Sequence, residues 1–158
     1  MTTSLNEEDL PLDAPQRFLR TLWQLNHAVE TCSREMATRL GVTFQQRTVV
    51  RLVGRFPGIT PSKLAQTLHV DRGTLSTMLT RLEARGLIER TQDLRDGRRV
   101  QIGLTARGRK LDVPETGTVE SATERLLGSL SPADVQATER VLRMLVQELE
   151  RSHLERAR

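Results

Sequence analysis

The stretch RTQDLRDGRRVQIGLT, residues 90–105, places two acids and three arginines around one glycine within positions 93–99. Val100, Ile102 and Leu104 then alternate with polar or small residues. Apolar side chains at every second position on both sides of a glycine-containing tip are typical of a β-hairpin. The apolar side chains of such a hairpin anchor it on the core. The strand candidates are LIERTQ, residues 87–92, and RVQIGL, residues 99–104.

Helical periodicity dominates the rest of the chain. Thr43 and Gln46 have the spacing of a capping box, and Asp71 is a candidate cap for the helix that precedes the hairpin. A helix beginning at Thr105 is expected to kink or to loosen into a turn near 112–117, where a proline and a glycine lie, and to resume to about Leu127. The other predicted helices are 15–40, 43–57, 60–68, 71–86 and a last one from residue 131.

The predicted fold is therefore mainly α with a small β-hairpin (α+β). The two short helices before the hairpin match a helix-turn-helix, and a two-stranded ribbon directly after the second one matches the wing of a winged helix-turn-helix.

Positive charge is concentrated in the middle of the sequence. Residues 60–110 contain eleven basic and five acidic side chains, a surplus larger than the +4 of the whole chain. A basic segment in an otherwise slightly acidic chain favours a polyanionic partner, although a merely solvated face remains the alternative.

The helix that follows Asp71 has a face of hydroxyl and arginine side chains opposite its leucines. Small hydroxyl residues allow close approach to the major groove of DNA, arginine reaches guanine or phosphate, and the helix N-terminus attracts phosphate. An ordinary solvated face is the alternative when this helix is considered alone. The residues of this face are Arg72, Thr74, Ser76, Thr77, Thr80 and Arg81.

Asp93 and Asp96 could form a carboxylate pair for hydrolysis or metal binding, as in a nuclease. The neighbouring arginines would lower the pKa values of both acids, and no His or Glu close in sequence completes an acid–base site. We expect Asp93 to hold Arg95 or Arg98 in place, so that these arginines enter the minor groove, where A·T-rich stretches attract Arg. Arg99 has no assigned role.

Over about residues 43–108 the sequence resembles the multiple-antibiotic-resistance regulator (MarR) family of transcription factors. The wing carries the pattern D-x-R-x-x-R as Asp93, Arg95 and Arg98, and the exit carries L-T-x-x-G as Leu104, Thr105 and Gly108. The matching segments are VTFQQRTVVRLV (42–53), PGITPSKLAQTLHVDRGTLSTMLTRLEARGLIER (57–90) and DLRDGRRVQIGLTARGRKL (93–111).

The resemblance implies a homodimer that binds a pseudo-palindromic operator in double-stranded DNA. Asp93, Arg95 and Arg98 would then be wing residues in the minor groove. The implied readers of the major groove are Arg72, Thr74, Ser76 and Thr77. The family commonly releases DNA when a small phenolic or anionic molecule binds, so the implied function is a ligand-released repressor without enzymatic activity and without a cofactor. A winged-helix module used for protein–protein contacts is the alternative.

The organisation expected from these patterns is an acidic, flexible arm over 1–14 and a single domain over 15–158. Within that domain, 43–104 would form the DNA-binding lobe, and 15–42 and 105–158 the dimerisation helices. The first and last helices carry apolar stripes that the middle of the chain is too small to cover, which favours a dimer over a monomeric bundle.

Few residues qualify as sensors. Cys32 lies on the apolar stripe of the first helix, so a buried packing cysteine is preferred to a redox switch. Trp23 and His27, one helical turn apart, could line a ligand pocket, or could be a core tryptophan and an interface histidine. His69 could touch phosphate, and His153 is expected to be solvated. One cysteine and scattered histidines do not favour a zinc site.

Residues 1–14 contain four acids and no base, unlike the start of a signal peptide, and no run of about 18 apolar residues could span a bilayer. We therefore expect a cytoplasmic protein that does not contact the membrane.

Overall fold

A computed structural model of the protein describes residues 11–92 and 99–156. The chain divides into two compact units, one up to Val119 and one from Glu120, which are described separately. The described fold is mainly helical with one antiparallel hairpin, as predicted. The elements are α1 (Ala14–Leu40), α2 (Phe44–Arg55), α3 (Pro61–Leu68), α4 (Arg72–Ala84), β1 (Ile88–Gln92), β2 (Val100–Leu104), α5 (Ala106–Leu111), α6 (Val119–Ser129) and α7 (Pro132–Arg156).

The helix ends follow the predicted capping chemistry. The Thr43 hydroxyl accepts a hydrogen bond from the Gln46 amide at 3.3 Å, and the Gln46 side chain accepts one from the Thr43 amide at 3.1 Å. This reciprocal pair satisfies two amides that have no partner within the helix. At the other end of α1, Gly41 has φ 72°, a left-handed conformation that glycine adopts without steric cost. The predicted end of α1 and start of α2 are therefore confirmed.

The core of the first unit lies between α2, α3, α4 and the hairpin. On α4 the leucines Leu75, Leu79 and Leu82 are buried and Met78 is half-buried, as the spacing predicted. Burial of this stripe turns the other side of α4 towards solvent. The buried apolar residues that surround the stripe are Val49, Val50, Val53, Leu64, Ala65, Leu87, Ile88, Ile102 and Leu104.

The hairpin pairs Ile88 with Leu104 at one end and Gln92 with Val100 at the other. A third segment joins its edge, because the Ile102 amide donates to the Ile59 carbonyl at 3.0 Å. Ile102 and Leu104 are buried and anchor the wing, as expected. Val100 is 39% exposed, so the prediction that it anchors the wing is wrong, since at the distal end of the strands the core no longer reaches it.

The L-T-x-x-G segment attaches the wing to α5. The Thr105 hydroxyl donates to the Gly86 carbonyl at 2.6 Å and accepts from the Gly108 amide at 3.0 Å. A Cβ atom at Gly108 would lie 1.9 Å from the Leu87 carbonyl oxygen, so only glycine fits at this contact. Threonine and glycine therefore bring α5 directly against the backbone that leads from α4 into β1.

The chain between α5 and α6 is interrupted rather than kinked. α5 ends at Leu111 and α6 begins only at Val119. Pro114 has no amide hydrogen to donate, and Gly117 has φ 66°, which is outside the right-handed helical region. Of the two expected alternatives the loosened turn is confirmed and the kink is not, because these residues separate two helices.

The second unit consists of α6 and α7. The Ser131 hydroxyl accepts from the Asp134 amide at 3.2 Å, which confirms the predicted start of the last helix. Both helices expose large apolar side chains in the single chain. These are Leu126, Leu127, Val141, Leu142, Met144, Val146 and Leu149. Of the described helices, none combines the length and the hydropathy that a membrane span requires.

Candidate nucleic-acid interface

The turn between α3 and α4 is short because one residue reverses the chain. His69, which follows α3, has φ 51°, and its amide donates to the Gln66 carbonyl at 3.3 Å. The Val70 amide donates to the Ala65 carbonyl at 3.1 Å, and Asp71 then caps α4. These bonds close a helix-turn-helix of the type predicted from the sequence. The His69 side chain is exposed on this turn.

The structure brings the six predicted residues of α4 to the solvent side of that helix. All six are exposed, whereas Leu75, Leu79 and Leu82 on the opposite side are buried. Successive side chains of an α-helix are rotated by about 100°, so residues three, four or seven apart lie on the same side of the helix. This rotation separates the buried leucines from the exposed polar residues. The exposed residues are Arg72, Thr74, Ser76, Thr77, Thr80 and Arg81.

The start of α4 carries a carboxylate. The Thr74 amide donates to Asp71 Oδ1 at 2.8 Å, and the Thr74 hydroxyl donates to Asp71 Oδ2. The hydroxyl bond, followed by the backbone bond, holds the pKa of Asp71 below its usual value, because both stabilise the charged form. The amide of Thr74 therefore faces an acid instead of an incoming phosphate, and its hydroxyl can still accept a hydrogen bond.

An arginine outside the predicted set, Arg90, lies beside this face. Arg72, Ser76 and Arg90 line a cleft of about 120 Å³ between α3, α4 and β1. Arg90 Nε lies 3.4 Å from Glu83 Oε2 on α4, so an ion pair ties the first strand of the wing to the helix. Arg90 was not among the residues predicted from the sequence, because its position in a strand gave no indication that it would meet α4.

Two open grooves beside α3 continue the basic surface. The first is lined by Lys63, Gln66, His69 and Arg72, which places His69 beside two cations. The second is lined by Thr60, Pro61, Ser62, Val100 and Arg99, the arginine that had no assigned role. Lys63 and Arg99 therefore border the helix-turn-helix, and each is exposed.

The predicted wing-tip residues Asp93, Arg95 and Arg98, together with Asp96, lie outside the described residues. The two strands on either side of this segment are described: β1 ends at Gln92 and β2 begins at Val100.

The candidate sensor residues are more exposed than expected for core positions. Trp23 is 77% exposed and His27 is exposed, one turn apart on α1, so the interpretation of Trp23 as a core residue is wrong for the single chain. Cys32 is half-buried, with Sγ 3.8 Å from the Gly117 carbonyl oxygen. Within residues 11–92 and 99–156, no three acidic, cysteine or histidine side chains are grouped as a metal site would require.

Known proteins resemble this chain in sequence and in fold. The MarR family model matches residues 42–100, which extend from the start of α2 to the start of β2. The transcriptional regulator HosA of Escherichia coli is 32% identical over 105 residues, which are 66% of this chain and 78% of HosA. The chain belongs to the MarR family.

Two further similar proteins match more than four fifths of the chain. An HTH-type transcriptional repressor of Mycobacterium tuberculosis is 28% identical over 133 residues, 84% of this chain and 94% of that protein. The structure of Streptococcus pneumoniae FabT in complex with DNA is 26% identical, with a TM-score of 0.65 over 85% of this chain and 96% of FabT. This MarR-family protein is thus a DNA-binding transcriptional regulator with a winged helix-turn-helix, and the enzymatic alternative for Asp93 and Asp96 is discarded.

Proposed function

We propose that this MarR-family regulator is a cytoplasmic repressor that binds a pseudo-palindromic operator as a homodimer and releases it when a small ligand binds. The observation that carries the proposal is the exposed face of α4, whose hydroxyl and arginine side chains are held outward by a buried leucine stripe. A helix of this kind enters the major groove, where Ser, Thr and Arg can distinguish base pairs.

Within that face, residues differ in the role we assign to them. Arg72 and Arg81 supply the charge-assisted bonds to guanine or phosphate, and Ser76 contacts a base edge. Thr77 donates its hydroxyl to the Gly73 carbonyl at 3.1 Å, so like Thr74 it reads DNA as an acceptor or through its methyl group. Thr80, one turn further along, completes the contact surface.

The wing provides the second part of the DNA contact. We assign the minor-groove contact to Arg95 and Arg98, with Asp93 as the residue that orients them. Two observations support this assignment. The hairpin is anchored on the core, and Arg90 and Arg99 of the hairpin segment line clefts shared with residues of the helix-turn-helix.

The dimer is supported by apolar side chains that the single chain leaves in water. Phe18 is 42% exposed, Trp23 77% and Leu149 61%, which are high values for residues of this size in a monomer. A two-fold dimer would place two recognition helices on half-sites roughly one helical turn apart, about 34–36 Å.

The proposed ligand is phenolic or anionic. Trp23 offers an aromatic face and His27 an imidazole that can donate or accept a hydrogen bond, one helical turn apart on α1. Their exposure supports either a ligand contact or a place in the dimer interface. To distinguish the two, the affinity for salicylate-like phenols and the oligomeric state are measured for the wild type and for His27→Ala. An interface role predicts that the variant changes its oligomeric state, whereas a ligand role predicts that it does not.

The decisive experiment measures affinity for the DNA upstream of the protein's own gene against a random duplex, at several salt concentrations. DNA reading predicts a strong preference for one duplex and a slope of log K against log salt of about −0.9 per neutralised phosphate. Arg81→Ala should weaken specific binding by about 1–3 kcal/mol if the arginine contacts a base. Arg143→Ala is the matched control, since Arg143 on α7 is exposed and pairs with Glu139, one turn away on the same helix, at 3.0 Å.

Equal affinity for all duplexes would contradict the repressor proposal. It would favour the winged-helix module for protein contacts, in which the same basic face meets an acidic partner.

A further inference from the structure

A buried arginine in α2 is not explained by DNA binding. Arg47 is 2% exposed, and its guanidinium donates to the Leu111 carbonyl at 2.7 Å and to the Val113 carbonyl at 2.6 Å. These carbonyls belong to the end of α5 and to the segment that leads to α6. A planar guanidinium offers its donors in a fixed geometry, so the two bonds define the direction of the backbone between the two carbonyls.

The next turns of α2 hold the residue between those carbonyls. Arg51 Nη1 lies 2.8 Å from Asp112 Oδ1. A Cβ atom at Gly54 would lie 1.9 Å from Asp112 Oδ2, so the glycine leaves the space that the carboxylate occupies. Arg47, Arg51 and Gly54 are spaced i, i+4 and i+7 and thus form one stripe along α2 that is shaped for residues 111–113.

The end of α1 holds the following residues. Arg39 Nη1 lies 2.6 Å from Glu115 Oε1, while Arg39 Nη2 donates to the Thr116 carbonyl at 2.6 Å and to the Gly117 carbonyl at 3.3 Å. The Thr118 hydroxyl, in a residue that is 1% exposed, donates to the Glu115 carbonyl at 2.9 Å. Arginines of two helices therefore hold the backbone from Leu111 to Gly117, although residues 112–117 have no regular secondary structure.

Simple stabilisation accounts poorly for this arrangement. Placing a guanidinium in a buried site requires the loss of its hydration, and apolar side chains of similar volume are often as stabilising or more so. What the arginines add is a defined path for the backbone. The path matters because residues 111–117 join the DNA-binding lobe to α6, so their direction influences how the lobes are presented to two half-sites.

We infer that Arg47, Arg51 and Asp112 form a positioning clamp that sets the half-site spacing accepted by the dimer. The inference rests on the proposed function, because it concerns the partner DNA of the same surface. The three residues act through the backbone of residues 111–113 and need not touch DNA. Residues of the α4 face determine which bases are bound in each half-site, and the clamp determines the spacing between the two half-sites.

The test uses the full-length dimer and operators selected from random duplexes, rebuilt with half-sites one base pair closer, unchanged, or one and two base pairs further apart. Arg51→Gln and Asp112→Asn each remove the ion pair with little change in volume. We expect each to weaken binding to the natural spacing at least about fivefold and to reduce the preference among spacings, as a coupling between distant sites does. Affinity for random duplex should change less than about twofold, because the α4 face is intact.

Two further variants complete the design. Arg47→Lys keeps the charge but removes the planar guanidinium that donates to both carbonyls. The folded variant is expected to show the same loss of spacing preference. Arg143→Gln breaks the exposed pair with Glu139 on α7 and should leave the preference unchanged. An unchanged spacing preference in both Arg51→Gln and Asp112→Asn overturns the clamp, even if the melting temperature falls, since that result would mark a purely structural contact. Failure of the wild type to prefer any duplex would overturn the proposed function, and the clamp with it.

Discussion

Replacement of Gly108 by alanine tests the contact that positions the wing. Gly108 lies inside α5, where helix propensity alone predicts that alanine stabilises the protein by up to about 1 kcal/mol. The structure predicts the opposite sign. The new Cβ would lie 1.9 Å from the Leu87 carbonyl oxygen, and Leu104 Cδ2, at 3.3 Å, is close as well. A comfortable carbon–oxygen contact requires about 3.3 Å, so α5 and the Leu87 backbone must separate by about 1.4 Å.

This separation of α5 from the Leu87 backbone would break neighbouring hydrogen bonds. The Thr105 amide donates to the same Leu87 carbonyl at 3.2 Å, and the Thr105 hydroxyl holds Gly86. Overpacking of well-packed sites costs about 1–3 kcal/mol, and a contact between two backbones belongs at the upper end. Gly108→Ala should therefore lower the free energy of unfolding by about 3 kcal/mol and weaken operator binding through displacement of the wing.

Urea unfolding of both proteins at equal protomer concentration measures the difference. Gly103→Ala in β2 is the matched control, because a Cβ there would meet Glu89 Cγ at 3.8 Å, an ordinary contact, so its stability should be unchanged or slightly higher. A Gly108→Ala protein as stable as the wild type would refute the reasoning.

Two further predictions concern the turn of the helix-turn-helix. The lowered pKa of Asp71 means that its capping bonds stabilise the fold above about pH 3.8, its unperturbed value, and that this contribution disappears as the pH falls through the lowered value. Asp71→Asn should therefore show a smaller loss of stability between pH 6 and about pH 2.5 than the wild type in urea titrations, and an equal loss would contradict the role. His69→Gly should raise the melting temperature, because the φ of 51° costs a side chain about 1 kcal/mol and costs glycine little; a lower melting temperature would show that the imidazole contributes contacts of its own.

Local signals made much of the fold predictable. Thr43 with Gln46 and Asp71 with Thr74 act within one helical turn, so their capping bonds can be inferred from spacing alone. The change of period after Gly86 similarly identified the hairpin, because side-chain alternation is a property of the strand itself. The exposed and buried sides of α4 follow from the same kind of periodicity.

Long-range polar contacts were not predictable. Arg47 donates to carbonyls 64 and 66 residues away, and a backbone acceptor has no signature in the sequence. For residues 112–117 the sequence therefore predicted a kink or a loosened turn from Pro114 and Gly117, but not that the carbonyls of this segment bind arginine side chains. Arg90 was missed for a related reason, because its proximity to α4 depends on the packing of the wing. The exposure of Trp23 depends on what covers α1, which a single sequence does not define.

The division of α4 into two sides has an evolutionary consequence. The residues that keep the helix in place, Leu75, Leu79 and Leu82, are buried, whereas Ser76 and Thr80 make no contribution to that core. Surface substitutions away from caps and cores usually change stability by less than about 0.5 kcal/mol. A duplicated copy of this gene can therefore acquire a new binding sequence in a few steps without passing through an unstable protein, which provides a route by which one repressor diverges into several with separate targets.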